Sequence, residues 1–283
     1  MGTKIWNTGR KKRKRIVFGI CLAFVIVFSV IAVVAMLNGK AFKTPSSSVN
    51  SSGEVSQETS QTKPPAPDSS VESVPPVSSV PPGETDVPAS EAVGTEYFHD
   101  AVFIGDSRTE GLMLYTNTGD AQFLTHKGLK VDTAFTSEVI REGDEKISVV
   151  EALKRHRYKK VYVMLGVNEL GWVYESAFIQ RYGELVDAIR ESQPDAVVYL
   201  QSILPVSASK SASDKVYNNP RIETYNRLIR QLAEEKGVYY LQVADAVQVD
   251  GVLPEEATTD GVHLVPAYCK KWLEYLETHT VQP

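Results

Sequence analysis

Cysteine is nearly absent from this sequence: Cys21 and Cys269 are the only two in 283 residues. That excludes a small domain stapled by disulfides and a cysteine-rich metal site. Histidine is scarce as well, with five in the chain and no His-Glu-x-x-His pair, so no metal ligand set can be read and no cofactor is expected. Acidic residues are missing from the first 43 positions, where nine Lys and Arg fall, while the remaining 240 positions carry 21 basic against 35 acidic residues. A chain that is acidic over most of its length has no footprint for nucleic acid. The Gly-x-Ser-x-Gly elbow of common α/β-hydrolases is also missing.

The early basic residues belong to a membrane signal. Arg10-Lys11-Lys12-Arg13-Lys14-Arg15 precedes an uncharged run from Ile16 to Leu37. As a helix, that run extends about 33 Å, enough for the roughly 30 Å hydrocarbon core of a bilayer. A cleaved secretory signal has a shorter apolar core and a small-residue cleavage site. Ala35-Met36-Leu37-Asn38-Gly39 makes a poor site of that kind. The reading is a cytoplasmic segment over 1–15 and a retained transmembrane helix over 16–37. The positive flank stays in the cytoplasm, so the protein is expected in the cell membrane as a single-pass protein with an extracytoplasmic C-terminal domain. Cys21 then lies in the membrane helix and Cys269 in the folded domain, so the two cannot pair; both read as small packing residues.

Residues 38–94 read as a disordered linker. Between Thr44 and Gly94 there are nine Pro, 13 Ser and no aromatic residue. Such a stretch buries too little apolar surface to offset chain entropy. Its function is then spacing, holding a domain off the membrane, unless it is merely unselected spacer.

From residue 95 to 283 the texture is that of one folded domain. Short β-branched and aromatic runs occur at 101–104, 161–165, 196–200 and 238–241, with a weaker one at 121–124. They do not alternate, as strands covered on both faces should not. Helical periodicity fills the gaps over 147–157, 175–191, 221–236 and 268–276, with Gly237 as a C-terminal stop and Pro266 near a first turn. Strand followed by helix about five times predicts a parallel sheet with helices on both faces.

In such a sheet the ligand site lies beyond the carboxyl ends of the strands. Three polar signals fall there: Gly105-Asp106-Ser107-Arg108, Gly166-Val167-Asn168-Glu169, and Asp260-Gly261-Val262-His263 before the last helix. Each has a plain structural reading too: Ser107 or Asp106 as a helix N-cap, Asn168 as a turn former, His263 as a helix-start residue. Together they suit nucleophilic acyl transfer, which needs a hydroxyl, a base, an orienting acid and an oxyanion donor.

These three blocks resemble those of the SGNH or GDSL-type esterases and lipases, over about Ala101 to Leu276. The resemblance implies a three-layer αβα, flavodoxin-like fold with about five parallel strands. It also implies a serine esterase with Ser107 as nucleophile, His263 as base and Asp260 as the acid that orients it. The Ser107 and Gly128 backbone N–H groups and the Asn168 amide would form the oxyanion hole. Arg108 stands where the family's name motif has Leu, and Glu169 where its third block has Asp. Both are candidates for the substrate pocket, with Trp172 and Tyr174. That aromatic pair fits a sugar-stacking surface and ordinary loop packing equally well. Relatives that de-O-acetylate carbohydrates, together with the expected location, point to a small acyl ester on a wall or secreted carbohydrate. An O-acyltransferase using the same site and a non-catalytic glycan-binding module are the alternatives.

Overall fold

A computed structural model describes residues 84–281 of the chain. The expected cytoplasmic segment, the transmembrane run with Cys21 and the linker up to residue 83 lie outside the described residues. Among the described residues, no helix is long and apolar enough to cross a membrane.

The core is a five-stranded parallel sheet. Its strands are β1 (Ala101–Gly105), β2 (Gln122–Thr125), β5 (Lys160–Met164), β6 (Val197–Gln201) and β7 (Tyr239–Leu241), in the order β2-β1-β5-β6-β7. Successive residues of the central strands enter opposite cores, which explains their continuous apolar runs. Val102, Ile104, Val161, Val163, Val198 and Leu200 face one layer. That layer is built from α3 (Val149–Arg155), α4 (Glu175–Ser192) and α6 (Asn219–Lys236). Phe103, Tyr162, Met164, Val197 and Tyr199 face the other, where α1 (Ser107–Tyr115) and α7 (Pro266–Thr278) pack with Cys269 and Trp272 fully covered. The result is the three-layer α/β arrangement expected from the alternation of strands and helices.

Register reinforces the second layer. Phe123, Phe103, Tyr162, Tyr199 and Tyr239 are direct partners on neighbouring strands. Their rings form a row with centroids 4.9, 4.7, 4.6 and 5.7 Å apart. Each such pair contributes about 0.5–1.5 kcal/mol beyond area burial. Trp272 closes the layer from α7, its Nε1 donating to Gln201 Oε1 at 2.9 Å.

Several features differ from the expectations. The domain starts before residue 95: Thr85 O accepts the Tyr240 N–H at 2.8 Å, Val87 is buried, and Ser90 and Val93 bond the end of α7. The cause is the unpaired edge of β7, which needs a partner that this segment supplies. A polar hairpin, β3 (Ile140–Glu142) with β4 (Glu145–Ile147), and two short helices, α2 (Thr133–Thr136) and α5 (Ala208–Ser213), were not foreseen.

Candidate active site

Two glycines at the ends of neighbouring strands set the site's backbone. A Cβ on Gly105 would lie 2.0 Å from Thr109 Oγ1 and 2.9 Å from the Met164 carbonyl oxygen, so only hydrogen fits where β1 turns into α1. Gly166, after β5, has φ +128°, and a Cβ there would meet Ile203 Cδ1 at 2.5 Å. Both turns therefore exclude a side chain, and each delivers a polar residue to the same end of the sheet. Asp106 caps α1 through the Arg108 N–H at 2.9 Å, leaving Ser107 as the first helical residue. The single turn Val167–Glu169 presents Asn168. The third block is held from below, where Ser207 N–H donates to Gly261 O at 2.9 Å and Gly261 adopts φ +81°.

These elements bring Ser107, His263 and Asp260 into one hydrogen-bonded chain. Ser107 Oγ lies 2.9 Å from His263 Nε2, and His263 Nδ1 lies 2.7 Å from Asp260 Oδ2. The other carboxylate oxygen, Oδ1, accepts the Val262 and His263 backbone N–H groups at 2.9 and 2.8 Å. Partial burial pushes the Asp260 carboxyl up. The His263 N–H, the imidazole and the Val262 N–H outweigh it and hold the group well below the ordinary carboxylate range. An ionised Asp260 fixes the proton on Nδ1, which leaves the Nε2 lone pair free to accept from the Ser107 hydroxyl.

Asn168 stands beside this chain. Its Nδ2 donates to Asp106 Oδ2 and to Leu129 O, both at 3.1 Å. Gly128 sits in the turn closed by Leu129 N–H to His126 O at 2.9 Å, with φ +78°. That turn is tied to the end of β1 by the His126 N–H, which donates to Gly105 O at 3.2 Å. The three proposed oxyanion contributors thus come from three connected segments.

The four residues expected at the pocket divide into two pairs. Arg108 and Glu169 do not line it; both are buried. Arg108 turns inward from the first turn of α1 and donates through Nη1 to Leu204 O, and burial lowers the guanidinium to about 10, still a cation at neutral pH. Glu169 is buried beside Asn168, with Oε1 accepting the Val131 N–H at 2.7 Å. Trp172 is half-buried against the core, whereas Tyr174 is 71% exposed. Two grooves of about 680 Å³ each lie away from the triad, one along α6 and residues 242–252, the other beside β2 and the hairpin.

Asp106 is the residue whose part was missed, because its position in Gly105-Asp106-Ser107 reads as a helix cap and nothing more. It is a cap, but its second oxygen also holds Asn168. Burial pushes its carboxyl up to about 6 against the opposing pull of the Arg108 N–H and guanidinium.

Comparisons with known proteins bear on the family and the fold. The model of the GDSL-like Lipase/Acylhydrolase family matches residues 103–268, more than half of the chain. No curated protein sequence matches it. Among solved structures, it is similar to a candidate platelet activating factor from Streptococcus pneumonia, with 22% identity and TM-score 0.51 over 65% of this chain and 89% of that one. A GDSL-like lipase from Bacteroides thetaiotaomicron VPI-5482 aligns at 15% identity and TM-score 0.46 over 64% and 85% of the two chains. A carbohydrate acetylesterase from Sinorhizobium meliloti aligns at 15% identity and TM-score 0.44 over 62% and 96%. At 22% identity the likeness to the first of these is one of fold.

Proposed function

The chain belongs to the GDSL-like lipase/acylhydrolase family, and from that premise we propose that Ser107, His263 and Asp260 are its catalytic triad and that it removes small acyl groups, acetyl first, from a carbohydrate outside the cytoplasm. That it is an esterase follows from the family. The observation that carries the residue assignment is the unbroken chain from Ser107 Oγ through both nitrogens of His263 to Asp260.

In the proposed reaction the Ser107 oxygen attacks the ester carbonyl carbon while its proton passes to His263 Nε2. The carbonyl oxygen takes the negative charge and is stabilised by the Ser107 and Gly128 N–H groups and the Asn168 amide. In the resting arrangement both Asn168 amide hydrogens are already engaged, so donation to the oxyanion replaces or shares one of them. As the carbon–oxygen bond to the leaving alcohol breaks, His263 returns the proton to that alcohol. Water, deprotonated by His263, then attacks the acyl-enzyme and releases the acid, restoring Ser107.

Substrate class rests on surroundings. The triad is half-exposed, with Tyr174 standing free beyond the Asn168 turn, which favours an acyl group carried on a large polar molecule over a buried fatty chain. The basic, apolar N-terminal sequence supports a single-pass anchor with this domain on the outer side. The test supplies an aryl acetate and an acetylated polysaccharide and follows acetate release by wild type and by Ser107→Ala. Release from both substrates by wild type alone is expected; equal release by the variant rules out the serine assignment. Turnover of long-chain esters in preference to the acetylated polysaccharide overturns the substrate reading.

A further inference from the structure

Glu169 is fully buried next to the site yet touches neither the triad nor the surface. Its backbone is held on every side. Its N–H donates to Gly166 O at 3.2 Å, and its carbonyl accepts from Trp172 N–H at 2.8 Å and from the Tyr225 hydroxyl at 2.9 Å. From that rigid base Oε1 accepts the Val131 N–H at 2.7 Å. The preceding residue, Asn168, donates to Leu129 O at 3.1 Å. Two adjacent residues of one turn therefore grip a carbonyl and an N–H, two residues apart, in the loop that follows Gly128.

Gly128 has no packing that could fix it by itself. It is exposed, it holds φ +78°, and a Cβ placed on it would meet nothing within 4 Å. The position of its N–H is set by its anchors: His126 to Gly105 on one side, Leu129 and Val131 on the other. We propose that Glu169 is a positioning residue for acyl transfer, holding Val131, and through it the Gly128 turn, in register with Ser107. The proposal rests on the assignment of Ser107 as nucleophile and Gly128 as oxyanion donor.

The role requires an acceptor oxygen, not a charge. Oε2 has no hydrogen-bond partner among the described residues. Burial pushes the carboxyl up to about 8, with the Val131 N–H pulling the other way and Asp106 and Asp132 adding to the rise. The titratable groups that act on it are these two carboxyls and the hydroxyls of Tyr182 and Tyr225. Only Oε1 is engaged, as an acceptor, so an amide that keeps that oxygen should replace the carboxyl.

The experiment compares Glu169→Gln, which keeps the acceptor, with Glu169→Met, which keeps the volume and removes it. Aryl acetate hydrolysis is measured at pH 7, with Ser107→Ala as reference and thermal melting as the check on folding. The expected result is a kcat close to wild type for Glu169→Gln. For Glu169→Met a fall of about 100-fold is expected, the scale of losing one oxyanion donor, with KM near the wild-type value. A folded Glu169→Met with wild-type kcat overturns the proposal, as does an equal loss in both variants. Should Glu169→Met not fold, amide exchange in the wild-type protein decides. Exchange of Val131 only through global unfolding supports the clamp, and exchange by local opening refutes it. Activity retained by Ser107→Ala would instead sink the underlying functional assignment, so the two failures are distinguishable.

Discussion

Replacing Asp260 by Asn isolates what the carboxylate contributes, because the two side chains have the same shape. Oδ1 can continue to accept the Val262 and His263 N–H groups at 2.9 and 2.8 Å, so the local turn should survive. What changes is the atom 2.7 Å from His263 Nδ1. With an amide NH2 there, the favourable partner on the ring is an unprotonated Nδ1, and the proton moves to Nε2. Nε2–H then faces Ser107 Oγ across 2.9 Å and cannot accept its proton. The imidazolium formed during attack also loses the negative charge beside it. In triads of this geometry, loss of the correct tautomer costs about 10⁴ in kcat, or roughly 5.4 kcal/mol of barrier at about 1.36 kcal/mol per factor of ten. His263 is more exposed than a deeply enclosed base, with side-chain exposure of 43%, and solvent can assist the ring, so a fall of about 10³ to 10⁴ in kcat/KM is expected. Stability should move by about 1 kcal/mol, the net contribution of one hydrogen bond. The assay is initial-rate hydrolysis of a short-chain aryl acetate at pH 7, with circular dichroism melts of both proteins. A folded Asp260→Asn enzyme within tenfold of wild type would refute the assignment of Asp260 as the orienting acid.

Gly166→Ala should destabilise the domain by about 2–4 kcal/mol, from the strained backbone and the overlap with Ile203, and a melt within 1 °C of wild type would contradict it. Gly128→Ala should cost only about 1–2 kcal/mol, for the left-handed backbone alone, because no atom stands in the way; a larger loss in chemical denaturation would mean hidden packing. A carboxyl raised in the folded state holds its proton more tightly there than in the unfolded chain. The contribution of Glu169 is therefore fully present below its ordinary value of 4.5, declines as pH rises, and is lost above about 8. The difference reaches up to about 5 kcal/mol, and Glu169→Gln should flatten this part of the stability–pH curve; an unchanged slope would contradict it. The full chain should sediment with membranes and be released by detergent but not by high salt, while recovery in the soluble fraction would contradict the anchor.

The sheet was legible because its central strands are covered on both faces. Continuous runs such as Val161-Tyr162-Val163-Met164 can hardly be anything else between polar helices. The hairpin at 140–147 was not, since Arg141, Glu142, Glu145 and Lys146 carry no apolar signal and three-residue strands are too short for a period. The strap at 85–93 was hidden for a different reason. Its composition matches the linker before it, and only the unpaired edge of β7, a long-range feature, gives it a place. Ser107 and Asn168 stand out in the sequence because each follows a glycine at the end of a strand, and Asp260 and His263 because they lie around Gly261 just before the last helix. Side-chain direction was beyond the sequence. Arg108 and Glu169 are charged residues flanking the site in sequence, which suggests a pocket, yet both turn into the interior. The helix geometry of α1 and the single turn after Gly166 decide that, not residue type.

The most direct test of the central claim is covalent labelling of the full chain with a fluorophosphonate, read by mass spectrometry of the intact protein and its peptides. The account predicts one adduct on Ser107, formed quickly by wild type, slowed severely in Asp260→Asn and absent from Ser107→Ala. A folded wild-type protein that takes no label, or takes it on another residue at the same rate in Ser107→Ala, would contradict it.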